Sequence, residues 1–99
     1  MAGQSAGHYV IEVMSGTGRQ VSIEFRIRRE TVELWHRSTC QAVLDRDVFR
    51  GWLGTRRGTI VVDDVMWTPL DAHQIALVIR GVGWWTIPPD FVSDLHERL

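Results

Sequence analysis

The sequence contains no lysine and no asparagine, and its 99 residues include a single cysteine, Cys40. Without lysine the chain can form neither a lysine Schiff base nor a P-loop with its usual lysine. One cysteine excludes a disulfide within the chain and is typical of a protein from a reducing compartment, so we expect a cytoplasmic location. Because lysine and asparagine have AT-rich codons, their absence indicates a bacterial genome of high GC content.

Long apolar runs are also lacking. No stretch approaches the roughly 20 apolar residues that a membrane-spanning helix needs, and the start shows no basic segment followed by an apolar block, so neither a membrane partner nor a secretory signal is expected. The composition, 44% hydrophobic and 23% charged, is that of a globular chain. We expect residues 1–7 to form a flexible leader and residues 8–99 a single domain.

The net charge of −1 is unevenly distributed along the chain. Residues 19–57 hold nine arginines against five acidic residues, whereas residues 58–99 hold two arginines against six. Such asymmetry indicates a basic binding face, complementarity between copies of the chain, or simply two solvated faces of one fold.

The alternation of apolar and polar residues predicts mostly strands. It is clearest over residues 21–28, and with residues 8–14 it predicts an antiparallel hairpin around the turn at 15–19. Further strands are expected at 31–36, 40–44, 59–67, 73–80 and 84–87, with the Asp63-Asp64 pair as a bulge in the fifth. Helical spacing predicts a short helix with Asp45 as its N-cap and Gly54 at its end, and a second helix that starts at Pro89 or Asp90.

These elements predict an α+β fold: a mainly antiparallel sheet of about seven strands with two short helices on one face. Residues 32–52 also match residues 75–95 at a constant shift of 43 positions, with Leu34 opposite Leu77 and Asp47 opposite Asp90. The pattern indicates an internal βββα duplication preceded by one extra strand.

Chemistry-bearing residues form no recognisable signature. The four histidines (His8, His36, His73 and His96) and Cys40 lack metal-ligand spacing, so no metal, cofactor or catalytic residue is predicted. Cys40 shares the alternation of Ala42 and Leu44, which predicts a small core residue. An enzyme that uses Cys40, or the acidic cluster of Asp63, Asp64 and Asp71, is the least favoured hypothesis.

Arginines suggest an alternative function in nucleic-acid binding. Arginine on a sheet face near aromatic side chains can contact phosphates and stack on bases. Interleaved glutamates and the pI of about 6.4 oppose this interpretation, because salt bridges would use the same charges. The candidates are the strand and loop arginines Arg26, Arg28, Arg29, Arg56 and Arg57.

Five tryptophans are many for a chain of this length. Trp84 and Trp85 are neighbours in a predicted strand and must point to opposite faces; we expect Trp85 in the core with Ile87 and Trp84 outside. An exposed aromatic patch on the face without helices would mark an interface. The main hypothesis is therefore a non-enzymatic, homodimeric protein–protein interaction module with the interface candidates Trp84, Trp35, Trp67 and Val43.

Overall fold

A computed structural model describes residues 7–15, 17–71 and 74–99 of the chain. They form two four-stranded antiparallel sheets, each an up-and-down meander, and two helices. The first sheet consists of β1 (Gly7–Met14), β2 (Gln20–Ile27), β3 (Thr31–His36) and β4 (Thr39–Asp45), followed by α1 (Arg46–Thr55). The second consists of β5 (Ile60–Val62), β6 (Val65–Pro69), β7 (Ile75–Ile79) and β8 (Gly83–Ile87), followed by α2 (Pro89–Arg98).

The expected α+β class with antiparallel strands is confirmed, but the single sheet of about seven strands is wrong. Two sheets of four strands form because α1 interrupts the meander after β4. The expected strand over residues 59–67 is also two strands. Val62 pairs with Val65 across a two-residue turn, Asp63-Asp64, and Asp63 has φ of 52°. Aspartate tolerates this left-handed conformation better than most residues, so the acidic pair makes a hairpin turn rather than a bulge.

Both halves of the chain follow the order ββββα. The two ten-residue helices are offset by the 43 positions at which the sequence matches itself. The strand that was expected to be extra at the N-terminus therefore has a counterpart in β5. Most of the predicted leader, residues 1–6, lies outside the described residues, and Gly7 belongs to β1. Among the described elements, neither helix has the length or apolarity to cross a membrane.

The core is centred on Trp67 in β6, which is fully buried. Its ring lies 5.9 Å from that of Phe25 in β2, and 5.0 Å and 6.4 Å from those of Phe49 and Trp52 in α1. Trp67 thus joins the second sheet to the first sheet and to α1. Its assignment as an exposed interface candidate was wrong, because its β6 position faces this core; the expected core position of Trp52 is confirmed.

Asp45 caps the start of α1, and Arg56 caps its end. The Asp45 carboxylate accepts a hydrogen bond from the Val48 backbone N–H at 3.0 Å, which confirms the expected N-cap. The helix does not stop at Gly54. It continues to Thr55, and Arg56 caps it in the left-handed conformation, with φ of 53° and its N–H donating to the Trp52 carbonyl.

Arg46, the first residue of α1, is buried and pairs with no aspartate or glutamate in the described structure. Its guanidinium donates instead to three backbone oxygens: that of Arg28 at 2.8 Å, and those of Arg98 and Leu99 at 3.3 Å. The latter two lie at the C-terminal end of α2, where carbonyls lack helical partners and the helix dipole favours a cation. One side chain therefore connects the start of α1 to the end of α2 and to the chain after β2.

Replacing Asp45 by alanine should lower the free energy of unfolding by about 1 kcal/mol, because the Val48 N–H loses its acceptor. Asp47→Ala is the matched control: it removes the same charge from the first turn without removing a cap, and should cost about 0.3–0.5 kcal/mol. Urea denaturation measures both. Equal losses for the two variants would show that the cap contributes only its charge.

Arg46→Met should destabilise the fold by about 2–4 kcal/mol, since the buried guanidinium and its three charge-assisted hydrogen bonds are lost. Arg50→Met, at an exposed position on the same helix, should change the free energy of unfolding by less than about 0.5 kcal/mol. Thermal or urea unfolding of both proteins checks this. An Arg46→Met protein as stable as Arg50→Met would contradict the assigned role of Arg46.

Candidate interaction surface around Trp84

The two sheets meet where the end of β1 approaches β8, the edge strand of the second sheet. Ser15 and Trp85 form an antiparallel bridge there. Trp85 is 2% exposed and lies in the core with Ile87, whereas Trp84 is 51% exposed. The expected division of the tryptophan pair between the two faces of the strand is confirmed.

Two hollows flank Trp84. The first, here called the arginine cleft, has a volume of about 470 Å³ and lies between the two sheets. The second, of about 420 Å³, shares Trp84 and Ser15 with it and extends to Met14 and Pro88. The arginine cleft is lined by turn, strand and aromatic residues from both sheets: Ser15, Thr17, Arg19, Val21, His36, Arg37, Val82, Gly83, Trp84 and Trp85.

Large apolar side chains are exposed beside these hollows. Met14 at the end of β1 is 61% exposed, and Val82, in the turn before β8, is 46% exposed. Together with Trp84 they line the two hollows, and we call these three residues the Trp84 surface. An exposed group of a tryptophan, a methionine and a valine at a sheet edge is typical of a protein interface.

The arginine cleft is positively charged. Arg19 and Arg37 line it, and none of the described residues that line it is acidic. Neither arginine takes part in the ion pairs found within residues 7–15, 17–71 and 74–99. Arg37 lies in the two-residue turn between β3 and β4, where Arg37 and Ser38 have φ of 51° and 64°. This turn directs a cationic residue to the cleft with a backbone conformation that disfavours most side chains.

His36 forms part of the wall of the cleft and is 7% exposed. Its ring centroid lies 5.5 Å from that of Trp85. Burial lowers the pKa of His36, and the neighbouring charge of Arg37 lowers this pKa further. Both causes disfavour the imidazolium, so the neutral ring is the form that packs on Trp85.

The outer face of the first sheet has a different character, because Arg26 and Arg28 are paired with glutamates there. The Arg26 guanidinium lies 3.7 Å from the centroid of the Trp35 ring and 2.9 Å from Glu24. Arg28 Nε lies 3.5 Å from Glu33 Oε2. The Glu33 carboxylate also accepts a 2.9 Å hydrogen bond from the Trp35 indole N–H. The hydrogen bond from Trp35, and then that from Arg28, lower the pKa of Glu33.

The remaining candidates are dispersed. Val43 is 49% exposed on β4, on the same face as the half-buried Trp35. Arg29 and Arg57 are exposed in loops, and Arg56 caps α1. The five arginines that suggested nucleic-acid binding therefore do not converge on one described cleft, and two of them are paired with glutamates.

Cys40 is exposed, so its expected core position was wrong. The register of β3 and β4 shifts between Leu34 and Trp35: Leu34 pairs with Ala42, and Trp35 with Cys40. The extra residue in β4, Gln41, is a β-bulge that turns Cys40 to the outer face while Ala42 stays inside. The Cys40 thiol lies 3.6 Å from the Ala42 carbonyl.

The acidic candidates form no cation site in the described structure. No group of three or more histidine, cysteine or acidic residues within the described ranges is arranged to hold a metal ion. Asp63 and Asp64 form the exposed turn between β5 and β6, and the Asp71 carboxylate accepts a hydrogen bond from the Gln74 N–H at 2.8 Å. His73 lies outside the described residues.

The sequence did not reveal the arginine cleft. Its lining residues come from three separate stretches, 15–21, 36–37 and 82–85, and a contact between the first and the last joins Ser15 to Trp85. Of the residues that line the cleft, the sequence pointed only to Trp84, which it placed outside the core because the neighbouring Trp85 was expected inside.

Comparisons with protein-family models, with curated proteins and with solved structures found no match to this chain.

The lowered pKa of His36 predicts a pH-dependent stability. Between its folded-state pKa and the ordinary value of 6.5, the unfolded chain binds more protons than the folded chain. This contribution to stability is therefore complete above pH 6.5 and is lost as the pH falls through that window.

Urea unfolding at pH 7.5 and pH 5.5 should show a larger loss of stability at the lower pH for the wild type than for His36→Leu, which removes the titrating ring. If His36→Leu has the same loss as the wild type, His36 is not responsible for it.

Proposed function

We propose that this protein is a non-enzymatic protein–protein interaction module that forms a homodimer through the Trp84 surface. The exposure of Trp84 carries the proposal. It is half exposed between two hollows, whereas Trp52, Trp67 and Trp85 are buried. An indole at a surface edge is a frequent interface anchor, because it buries a large area at little cost in side-chain entropy.

The outer face of the first sheet is a weaker candidate interface. Trp35 is already partly covered by Arg26 and hydrogen-bonded to Glu33. A partner on this face would have to compete with these contacts and desolvate two ion pairs, which reduces the net gain from burial. Trp84 makes no hydrogen bond or cation–π contact with the described residues, and methionine and valine side chains line the same hollows.

Nucleic-acid binding through the arginine-bearing sheet face has less support. Arg26 and Arg28 are held by Glu24 and Glu33, so phosphate groups would have to displace carboxylates that are already in place. The counterion release that drives such binding depends on available cations. This observation favours a protein partner over a nucleic acid at that face.

Trp84→Ala should weaken dimerisation by about 30-fold, the factor that corresponds to about 2 kcal/mol at an interface hot spot. Sedimentation velocity over a concentration series measures the dissociation constant. Trp35→Ala, on the outer face of the first sheet, is the matched control and should change the constant less than about threefold. A wild-type protein that remains monomeric at high micromolar concentration would contradict the proposed function, and an effect confined to Trp35→Ala would move the interface to the other face.

A further inference from the structure

The positively charged cleft and an acidic turn lie at the same end of the second sheet. The paired residues Val62, Val65, Ile79 and Gly83 form a row across β5, β6, β7 and β8. Neighbouring strands are about 4.8 Å apart, so the row spans about 15 Å. Gly83, at one end, lines the arginine cleft; at the other end Val62 leads into the Asp63-Asp64 turn.

The acidic turn and the arginines of the cleft form no ion pairs within the described structure. Asp63, Asp64, Arg19 and Arg37 are all exposed, and none takes part in the ion pairs found among the described residues. The turn is held in place through its backbone, because the Arg80 N–H donates to the Asp64 carbonyl at 2.8 Å. Both carboxylates are therefore presented to solvent on a fixed hairpin.

Apolar side chains accompany the charges. Val82 lies in the turn before Gly83, within the same end of the sheet, and is 46% exposed. Val61, in β5 beside the acidic turn, is 65% exposed. Apolar side chains thus lie beside both the basic cleft and the acidic turn, and the exposed Arg80 lies in the turn between β7 and β8. An interface at this end of the sheet would combine apolar contacts with charged groups.

A two-fold axis through this end would place the basic side of one copy against the acidic side of the other, twice. Dimers with a two-fold axis need a surface that is complementary to itself, and a surface with a basic site on one side and an acidic site on the other meets that condition. Charge complementarity therefore favours a second copy of this chain as the partner at this end of the sheet.

From this arrangement, which rests on the proposed homodimer, we infer that the Asp63-Asp64 turn of one copy docks on Arg19 and Arg37 in the arginine cleft of the other. Val82 lies near the axis, and Trp84 packs at the edge of the same contact. The chain then contains both halves of its own recognition site.

Charge reversal tests this pairing. Arg37→Glu alone and Asp64→Arg alone should each weaken self-association about tenfold or more, because each homodimer then carries two like-charge contacts. Mixing the two variants should restore a dimer, since the mixed dimer has opposite charges at both contacts. Sedimentation velocity of each variant and of the equimolar mixture measures this. Arg50→Glu, the same charge change at an exposed position of α1, should change association less than about threefold.

The outcomes separate this inference from the proposed function. If the wild type dimerises and Trp84→Ala weakens the dimer, but neither reversal does or the mixture fails to recover, the homodimer stands and the pairing falls. If the wild type is monomeric, both fall. Retention of a monomeric wild type on a single-stranded oligonucleotide, lost in Arg37→Glu, would assign the cleft to a nucleic acid and overturn the inference.

A thermal melt of each variant checks that it is folded. If either reversal unfolds the chain, the neutral variants Arg37→Gln and Asp64→Asn replace them, and each should weaken association by a smaller factor. The wild-type dimer should also weaken as the salt concentration rises, because the contacts lie at an exposed rim. A dimer that is insensitive to both salt and the neutral variants would overturn the pairing.

Discussion

The packing of Trp67 against Phe25, Phe49 and Trp52 is the contact on which the rest of the structure depends. It brings a side chain of the second sheet into contact with the first sheet and with the helix that separates them. Neither ββββα half could cover its own sheet as well, because a four-stranded sheet and a ten-residue helix leave much of the apolar face open. The two halves are therefore packed as one core, and the position of β8 relative to β1 follows from it.

The packing of Trp67 also determines which side chains are exposed where the two sheets meet. The Ser15 to Trp85 bridge closes one corner of the molecule, and the arginine cleft forms where the turns of both sheets come together. On the outer face of the first sheet, by contrast, Arg26 pairs with Glu24 and Arg28 with Glu33, so both arginines are neutralised locally. Arg19 and Arg37, which line the cleft, are thus among the arginines that have no ion-pair partner within the described residues.

Elements whose cause is local could be predicted from the sequence. The alternation over β2, the Asp45 cap and the opposite orientation of Trp84 and Trp85 each depend on a few neighbouring residues, and the structure confirms all three. The positions of Trp67 and Cys40 could not be predicted. One depends on packing between two sheets, and the other on a bulge that only the pairing of β3 with β4 defines. The same holds for the arginine cleft, whose walls are distant in sequence.

The turn that carries Arg37 has a further consequence. Two-residue hairpin turns with positive φ at both positions favour asparagine and glycine, and other residues there cost about 1–2 kcal/mol each. This chain has arginine and serine at those positions, with φ of 51° and 64°. A glycine at Arg37 would relax the backbone but remove the guanidinium from the cleft. The hairpin therefore carries a local conformational penalty together with a cationic side chain at the cleft. If the proposed contact forms, folding and recognition place opposite demands on this one residue.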